Sequence, residues 1–360
     1  MTVGVQAVRQ TRIKALDGLR GIAVLLVIAG HSMRAAQIDM PPALAFLEQG
    51  GRGVTIFFVL SGFLITSILV NEFDRSGRIS LKAFYVRRAF RILPAFYAFL
   101  IVIGVLSLAG TFVQVTLPQL LAAGLFVWNY APVDGTWWLG HTWSLAIEEQ
   151  FYLLWPLVLV LFKPRIAIRI AVAVILASPL IRLAQYFLFP ETREQISVMF
   201  HTRADALMVG CLLALLIGHA RWDRIMPAIA RWWPAYVIFL VAIAPPAKAY
   251  LQGVWDLTVG WSIEQLCVAG IICAAIALPN SLITRGLSWK PLTWIGLISY
   301  ALYLWQQLFL GFGWPSWWSP IIGIVASVAV ATASYWLVEK PFLRLKKRWE
   351  RGVADVQPGI

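Results

Sequence analysis

The sequence predicts an all-α polytopic membrane protein with ten transmembrane helices and a re-entrant or interfacial segment near 117–130. Two observations carry this prediction. Hydrophobic residues make up 60% of the 360 residues and charged residues only 13%, whereas about a quarter of a soluble domain is charged. In addition, ten apolar runs of membrane length follow one another along the chain, near 16–34, 54–71, 93–110, 143–162, 166–187, 203–219, 234–248, 258–279, 293–312 and 319–338.

The distribution of basic residues predicts which side of the membrane each loop faces. The net charge of +13 lies in short clusters between the apolar runs, which is typical of cytoplasmic loops and argues against nucleic acid as a partner. With ten spans and a cytoplasmic N-terminus, most of the 30 Lys and Arg residues fall inside. An eleventh span at 117–130 would divide them almost evenly. We therefore expect ten spans, with both termini cytoplasmic.

The chain shows no internal repeat or low-complexity tract that would divide it. We expect one transmembrane domain over 1–350, an uncleaved first helix, a short disordered cytoplasmic tail at 351–360 and no appended soluble domain. The three cysteines lie within apolar runs and lack metal or redox spacing, so they are interpreted as small buried side chains: Cys211, Cys267 and Cys273.

The first apolar run carries two ionisable residues, Arg20 and His31. A charge at the centre of a span costs about 2.5–3.5 kcal/mol on insertion scales, so its presence points to function. At about 100° per residue the two side chains share one helix face, and they are separated by roughly 16 Å along the axis. One helix is therefore expected to offer a cation near one surface and an acid–base group about half a bilayer deeper.

The segment between the second and third runs is strongly basic. Arg88 and Arg91 stand one helical turn apart beside Arg87, and Pro94 opens the next apolar run. Arginine side chains beside a helix start suit phosphate groups. The alternative is that they are topology signals or anchors to lipid headgroups. In the second run, the small pair Ser61 and Gly62 is interpreted as a helix-packing site.

The fourth run opens with HTWSLAIEEQFY and places Glu148 and Glu149 inside a membrane helix. Adjacent carboxylates there are costly unless they are paired, protonated or catalytic. Because this run is expected to pass from outside to inside, both are predicted to lie in the outer half, at the depth of His31. His141 shares a face with Glu148, but no second ligand pair at metal spacing follows. We expect no metal, and interpret His141 as an interfacial cap or a substrate contact.

Several later polar residues have more than one interpretation. Arg203 and Asp205 open the sixth run at the outer surface and either serve a site or neutralise each other. Tyr300 belongs to a polar–aromatic stripe in the ninth run that serves either a substrate or packing. His219 is interpreted as structural, and Glu339 is expected to pair with a loop arginine.

Seven sequence motifs follow one another from the first span to the last: ALDGLRGIAVLLVIAGH, FFVLSGFLIT, RRAFRILP, HTWSLAIEEQFY, RADALMVGCLLA, ISYALYLWQQ and VEKPF. Each motif alone is weakly specific, but all seven in this order are highly specific. In this combination the chain resembles the acyltransferase-3 family of integral membrane acyltransferases. The positions that match the motifs of this family are Arg20 with His31, Arg88 with Arg91, and Glu148 with Glu149. Two positions depart from its pattern: Thr55 stands where aspartate is usual, and Gln306 where histidine is usual.

The resemblance implies an O-acyltransferase of the bacterial cytoplasmic (inner) membrane. Such an enzyme transfers an acyl group, commonly acetyl, from acetyl-CoA to a hydroxyl of a carbohydrate or of a macrolide. O-antigen and other lipopolysaccharide parts, exopolysaccharide and peptidoglycan are typical acceptors. It implies acyl-CoA as a co-substrate and no permanently bound cofactor. The oligomeric state is not predicted.

Thioester acyl transfer needs a base for the hydroxyl and stabilisation of the tetrahedral oxyanion. His31 is the expected base, with Glu148 or Glu149 to orient it, and a covalent acyl-histidine is an alternative. The expected donor-binding residues, near the cytoplasmic face, are Arg20, Arg87, Arg88 and Arg91. The candidate acceptor-side residues are His141, Ser144, Arg203, Asp205, Tyr300 and Gln306.

We further expect donor and acceptor to meet from opposite sides of the membrane. A carrier or flippase for an anionic or sugar substrate is the alternative from another functional class, since buried charges and basic loops also mark transporters. A passive scaffold subunit is a weaker alternative, because nothing in such a bundle requires Arg20 and His31 on one face.

Overall fold

The computed structural model describes residues 13–38, 40–131, 135–311 and 319–356, and within these ranges the chain is helical and contains no β-strand. Nine helices in this part of the chain are long and apolar enough to cross a membrane. In chain order they are α1 (Lys14–Ala36), α2 (Gly50–Ser76), α3 (Leu81–Leu108), α5 (Trp137–Leu161), α6 (Pro164–Leu188), α7 (Pro190–Leu216), α9 (Trp233–Leu251), α11 (Gly260–Ala277) and α15 (Pro320–Glu350).

Shorter helices join these elements: α4 (Leu117–Gly124), α8 (Ala220–Arg231), α10 (Gly253–Leu257), α12 (Leu282–Leu287), α13 (Lys290–Leu297) and α14 (Ser299–Leu310). With eight residues, α4 is too short to cross a bilayer. The helical conformation of α15 continues to Val356, so residues 351–356, assigned to a disordered tail from the sequence, are helical. Residues 357–360 of that tail lie outside the described ranges.

The predicted span at 293–312 is divided into α13 and α14, which meet at Ile298. Gly296 packs directly on the backbone of α1: a Cβ atom there would lie 1.8 Å from the Asp17 carbonyl oxygen. α14 is almost wholly buried. Because neither piece reaches the length of a span, the predicted count of ten is not confirmed.

Contacts along α2 show which helices run parallel to it. The Phe58 ring packs against Trp143 of α5, and eight residues later Thr66 accepts a hydrogen bond from Trp155 of the same helix. α2 and α5 therefore point the same way, with α3 between them in the chain. One antiparallel helix, α3, is sufficient between two parallel ones, and α4 in the segment near 117–130 has the eight residues of a helix too short to cross.

Helices α2 and α7 also pack closely against each other. A Cβ atom on Gly62 would lie 1.9 Å from the Leu207 carbonyl oxygen, and one on Gly210 would lie 2.0 Å from the Val59 carbonyl oxygen. Each helix thus presses its backbone against the other at a glycine, as small residues allow in membrane bundles. The interpretation of Gly62 as a packing residue is confirmed. The three cysteines are buried and unpaired, as predicted.

Candidate active site

Two cavities lie one after the other along α1, between α1, α2, α3, α5 and α14. The first, here the arginine cavity, has a volume of about 460 Å³ and is lined by Arg20 of α1, by Arg88 and Arg91 of α3, and by Glu148 and Glu149 of α5. The second, here the histidine cavity, also has a volume of about 460 Å³ and is lined by His31, Arg34, Trp137, His141 and Gln307. Both fall within the 300–1,000 Å³ typical of ligand sites.

Among the residues that the structure describes, no direct ion pair neutralises the guanidinium groups of the arginine cavity. Arg20 donates to the Ser299 hydroxyl at 3.4 Å, and the Arg88 guanidinium lies 5.3 Å from the centre of the Tyr152 ring. Among the described residues, the ion pairs within 4.0 Å involve neither of these arginines nor Arg91. These cations are therefore available to an anionic ligand, and guanidinium forks are suited to phosphate.

One carboxylate of the arginine cavity is held by two hydroxyls. Ser61 of α2 donates to Glu148 Oε1 at 2.6 Å, and Tyr152 donates to Glu148 Oε2 at 3.2 Å. The two hydroxyl oxygens are themselves 3.2 Å apart. Because every member contacts the other two, the carboxylate is fixed in orientation across the α2–α5 contact.

In the histidine cavity, each of two imidazoles meets one of two adjacent glutamines of α14. His31 Nδ1 lies 2.9 Å from Gln306 Oε1, and His141 Nδ1 contacts Gln307 Oε1. The Trp137 indole packs edge-on against His31 at 5.6 Å between ring centres, and it donates to the Gln307 carbonyl oxygen at 2.8 Å.

Val54 and Tyr303 line both cavities and therefore lie where the two meet. The Tyr303 hydroxyl lies 2.5 Å from the Ser144 hydroxyl and donates to the His141 carbonyl oxygen at 3.1 Å. This phenol is therefore anchored to α5 at the point where the cavities approach each other.

The depths of these groups follow from pairings along α1. Arg20 of α1 contacts Ser299 of α14. His31, eleven residues further along α1, contacts Gln306, which is also further along α14. α14 thus runs parallel to α1. The arginine cavity lies towards the N-terminal end of both helices, and the histidine cavity lies towards the C-terminal end.

Comparison with known sequences identifies the family. Residues 13–338 match the family described as an acyltransferase domain (Acyl_transf_3). The chain belongs to this family.

Curated relatives of this acyltransferase-domain chain are bacterial proteins. It is 29% identical to "Peptidoglycan O-acetyltransferase OatA" of Listeria monocytogenes, over 91% of this chain and 55% of that protein. It is 32% identical to a Staphylococcus aureus protein named "Putative O-acetyltransferase", over 92% of this chain and 57% of that protein. The chain thus spans about half the length of these relatives. No solved structure matches it significantly.

Within the acyltransferase domain, the structure brings together three of the four arginines predicted to bind the donor. Arg20, Arg88 and Arg91 line one cavity, but Arg87 instead forms an ion pair of 2.8 Å with Glu72. The basic segment is also not a loop. It belongs to α3, which begins at Leu81 with the Ser80 hydroxyl accepting from the Ala83 N–H at its N-terminus, so Pro94 lies within a helix rather than opening one.

The predicted partnership of His31 with Glu148 or Glu149 is wrong. Both carboxylates line the arginine cavity, and the partner of His31 is Gln306. The prediction failed because α5 begins at Trp137 rather than near 143. At 1.5 Å per residue, Glu148 lies about 16 Å along the helix axis from that start. Earlier in α5, His141 lines the histidine cavity, and Ser144 lines the arginine cavity beside Tyr303.

The remaining candidate residues occupy different places. Tyr300, predicted for the acceptor side, lines the arginine cavity and donates to the Ile92 carbonyl oxygen at 3.0 Å. Arg203 and Asp205 do not neutralise each other directly. Asp205 forms a fully buried ion pair of 2.8 Å with Arg182, whereas Arg203 donates to Thr55 at 3.0 Å and lies 3.9 Å from the Trp261 ring centre.

Several residues of the site were not predicted from the sequence, among them Tyr152, Gln307, Trp137 and Tyr303. Tyr152 lies in the EEQFY block and its position i+4 from Glu148 was a usable signal. Gln307 adjoins Gln306, but its contact with His141 depends on the packing of α14 against α5. Trp137 precedes the apolar run that was predicted to begin at 143, and it was therefore expected to lie outside the helix.

Proposed function

We propose that this chain is an integral membrane O-acyltransferase that moves an acetyl group from acetyl-CoA to a hydroxyl of a carbohydrate. The observation that carries the proposal is the pair of cavities. One presents guanidinium groups that have no ion-pair partner in the described part of the chain, and the other presents imidazoles; Val54 and Tyr303 line both. A carbohydrate acceptor is supported by the relatives named as peptidoglycan O-acetyltransferases.

In the proposed donor site, Arg20, Arg88 and Arg91 hold phosphate groups of the coenzyme. Glu148 and Glu149 act as counter-charges that reduce the repulsion among the guanidinium groups, and Glu148 is fixed by Ser61 and Tyr152. Placing these carboxylates with the arginines also offsets the cost of burying ionised groups in a membrane protein.

In the proposed chemistry, His31 is the base. Its Nδ1 is engaged by Gln306, so Nε2 is the nitrogen that accepts the proton of the acceptor hydroxyl. The hydroxyl oxygen attacks the thioester carbonyl carbon, the carbon–sulfur bond breaks as the tetrahedral intermediate collapses, and the proton passes from His31 to the leaving thiolate. The products are the O-acyl ester and the free thiol of the coenzyme.

The proposed topology has both termini in the cytoplasm of the bacterial membrane, and α13 with α14 crossing as one broken helix. α14 runs parallel to α1, and its end packs against the start of α15, where Gly323 meets the Phe309 carbonyl oxygen. A broken helix beside a cavity is tolerated in membranes because the freed backbone groups face protein rather than lipid. On this topology the arginine cavity faces the cytoplasm and the histidine cavity faces outward.

The test uses oriented proteoliposomes with acetyl-CoA confined to the side of the basic segments and bacterial cell-wall glycan to the other. We expect free coenzyme thiol on the donor side and ester on the acceptor side, both dependent on His31. Product formed only when both substrates share the donor side would refute cross-membrane transfer. Glycan movement without thiol release would instead indicate a carrier.

A further inference from the structure

The histidine cavity contains two imidazoles whose protonation pattern is set by neighbouring side chains. Gln306 and Gln307 are consecutive on α14, and consecutive helical residues point about 100° apart. One reaches His31 on α1 and the other reaches His141 on α5. α14 therefore lies between the two histidines and contacts Nδ1, not Nε2, of each.

The orientation of the Gln307 amide is fixed by a second contact. Its Oε1 atom also lies 3.2 Å from the backbone nitrogen of His141. A backbone N–H can only donate, so the atom facing it must be the amide oxygen rather than the nitrogen. The same oxygen contacts His141 Nδ1, and an oxygen that carries no hydrogen can only accept there. Nδ1 of His141 therefore carries a proton, which leaves Nε2 with the lone pair in the neutral ring.

His141 Nε2 is buried, and it has no hydrogen-bond partner among the described residues. The side chain belongs to a residue that is only 3% exposed and that lines the histidine cavity. A buried acceptor without a donor is unfavourable, and a ligand that brings a hydroxyl into the cavity would satisfy it. At His31, Nδ1 lies 2.9 Å from Gln306 Oε1, and with that oxygen as the acceptor the Nε2 atom of His31 also carries the lone pair.

We infer that Gln306 and Gln307 are positioning residues which fix both histidines as Nδ1–H tautomers, so that the cavity presents two imidazole acceptors to a substrate with two or more hydroxyls. This inference rests on the proposed function for its substrate class. His31 then serves the reacting hydroxyl, and His141 binds a second hydroxyl of the same acceptor. A polyol or sugar ring supplies such a pair of donors, whereas a simple acyl group or an anion supplies none.

The test reads the tautomers directly. The chain has four histidines, so nitrogen-15 NMR of the full-length protein labelled at histidine gives a small set of ring signals. Each histidine is assigned by its replacement with glutamine. Above the pH at which the rings titrate, we expect His31 and His141 each to show a protonated Nδ1 and a bare Nε2. A proton on Nε2 of His141 in the wild-type protein would overturn the inference.

Two variants act as reciprocal controls. Gln307→Leu should move the proton of His141 towards Nε2 and leave His31 unchanged, and Gln306→Leu should do the reverse. An unchanged His141 in folded Gln307→Leu would also count against the inference. If that variant does not fold, Gln307→Glu keeps the accepting oxygen and adds a charge. It should raise the pH at which His141, but not His31, gains its second proton, and no such difference would again refute the inference.

A kinetic measurement separates positioning from general support of the fold. Gln307→Leu should raise KM for the hydroxyl substrate about tenfold or more and leave KM for acetyl-CoA unchanged, whereas a residue needed only for folding would reduce the amount of enzyme and change neither constant. The NMR experiment contains no substrate. Its outcome therefore stands whether or not the acetyltransferase activity is found, and the two hypotheses can fail separately.

Discussion

The Ser61 hydroxyl donates a 2.6 Å hydrogen bond to the Glu148 carboxylate, from one parallel helix to another. A hydrogen bond to a charged group contributes about 1.5–3 kcal/mol. Ser61→Ala should therefore lower kcat/KM for acetyl-CoA by about tenfold to a hundredfold, because the carboxylate loses its orientation beside the arginines. Ser327→Ala is the matched control, since the buried hydroxyl of Ser327 also donates a hydrogen bond, but to a backbone carbonyl within α15. Equal losses in both variants would contradict the prediction.

His31 is predicted to be essential for turnover. His31→Gln should lose acyl transfer by about a hundredfold or more, the usual range for removal of a general base, while the amount of protein in the membrane is kept. His219→Ala provides the control, since His219 lies outside both cavities. Thiol release from acetyl-CoA by purified protein is the measurement, and substantial turnover by folded His31→Gln would remove the assignment.

Two neighbouring arginines that the sequence alone could not distinguish have different surroundings in the structure. Arg88 lines the arginine cavity, whereas Arg87 pairs with Glu72. Arg88→Ala should raise KM for acetyl-CoA by about tenfold or more, since charge-assisted hydrogen bonds to phosphate act mostly through binding. Arg87→Ala should change KM little, because Arg87 pairs with Glu72 at the surface, where such pairs contribute only about 0–1 kcal/mol. Steady-state kinetics on both variants tests this, and similar KM values for the two would argue against the proposed donor site.

The buried pair of Arg182 and Asp205 is predicted to serve the fold rather than the acceptor. Both side chains are fully buried, and removal of one partner of such a pair costs about 3–5 kcal/mol. Asp205→Ala should therefore lower the amount of folded protein strongly, yet leave the activity per folded molecule near that of the wild type. Fluorescence-detected size-exclusion chromatography measures the first quantity. A well-folded but inactive Asp205→Ala variant would contradict this prediction and indicate that Asp205 acts in the active site.

The proposed topology is tested by reporter fusions. A reporter that is active only outside the cytoplasm should be silent after Ile360 and active between Thr111 and Pro118, because α3 is expected to end on the outer side. Activity at the C-terminal fusion would mean that the number of crossings is odd.

The helical period was sufficient to place Arg20 and His31 on one face, and α14 contacts both from a single side. The depth of Glu148 was not predictable, because the hydropathy of the chain locates the apolar part of α5 but not the aromatic turn that begins it at Trp137. The pairing of Asp205 with Arg182 could not be predicted either, because Arg203 is nearer in sequence. The packing of α6 against α7 is what brings Arg182 to the Asp205 carboxylate. Gln306, treated as a departure from the family pattern, proved to be the partner of His31.

The anchored phenol of Tyr303 has a consequence for the energetics of the cell. Two polar cavities placed end to end, if joined, would form a path by which protons cross the bilayer and dissipate the electrochemical gradient. Since Tyr303 and Val54 are the residues shared by the two cavity walls, these side chains form the seal. In the proposed direct transfer the thioester carbonyl must reach His31 past these two side chains, so the uncharged acyl end of the coenzyme crosses the seal while its phosphates stay with the arginines.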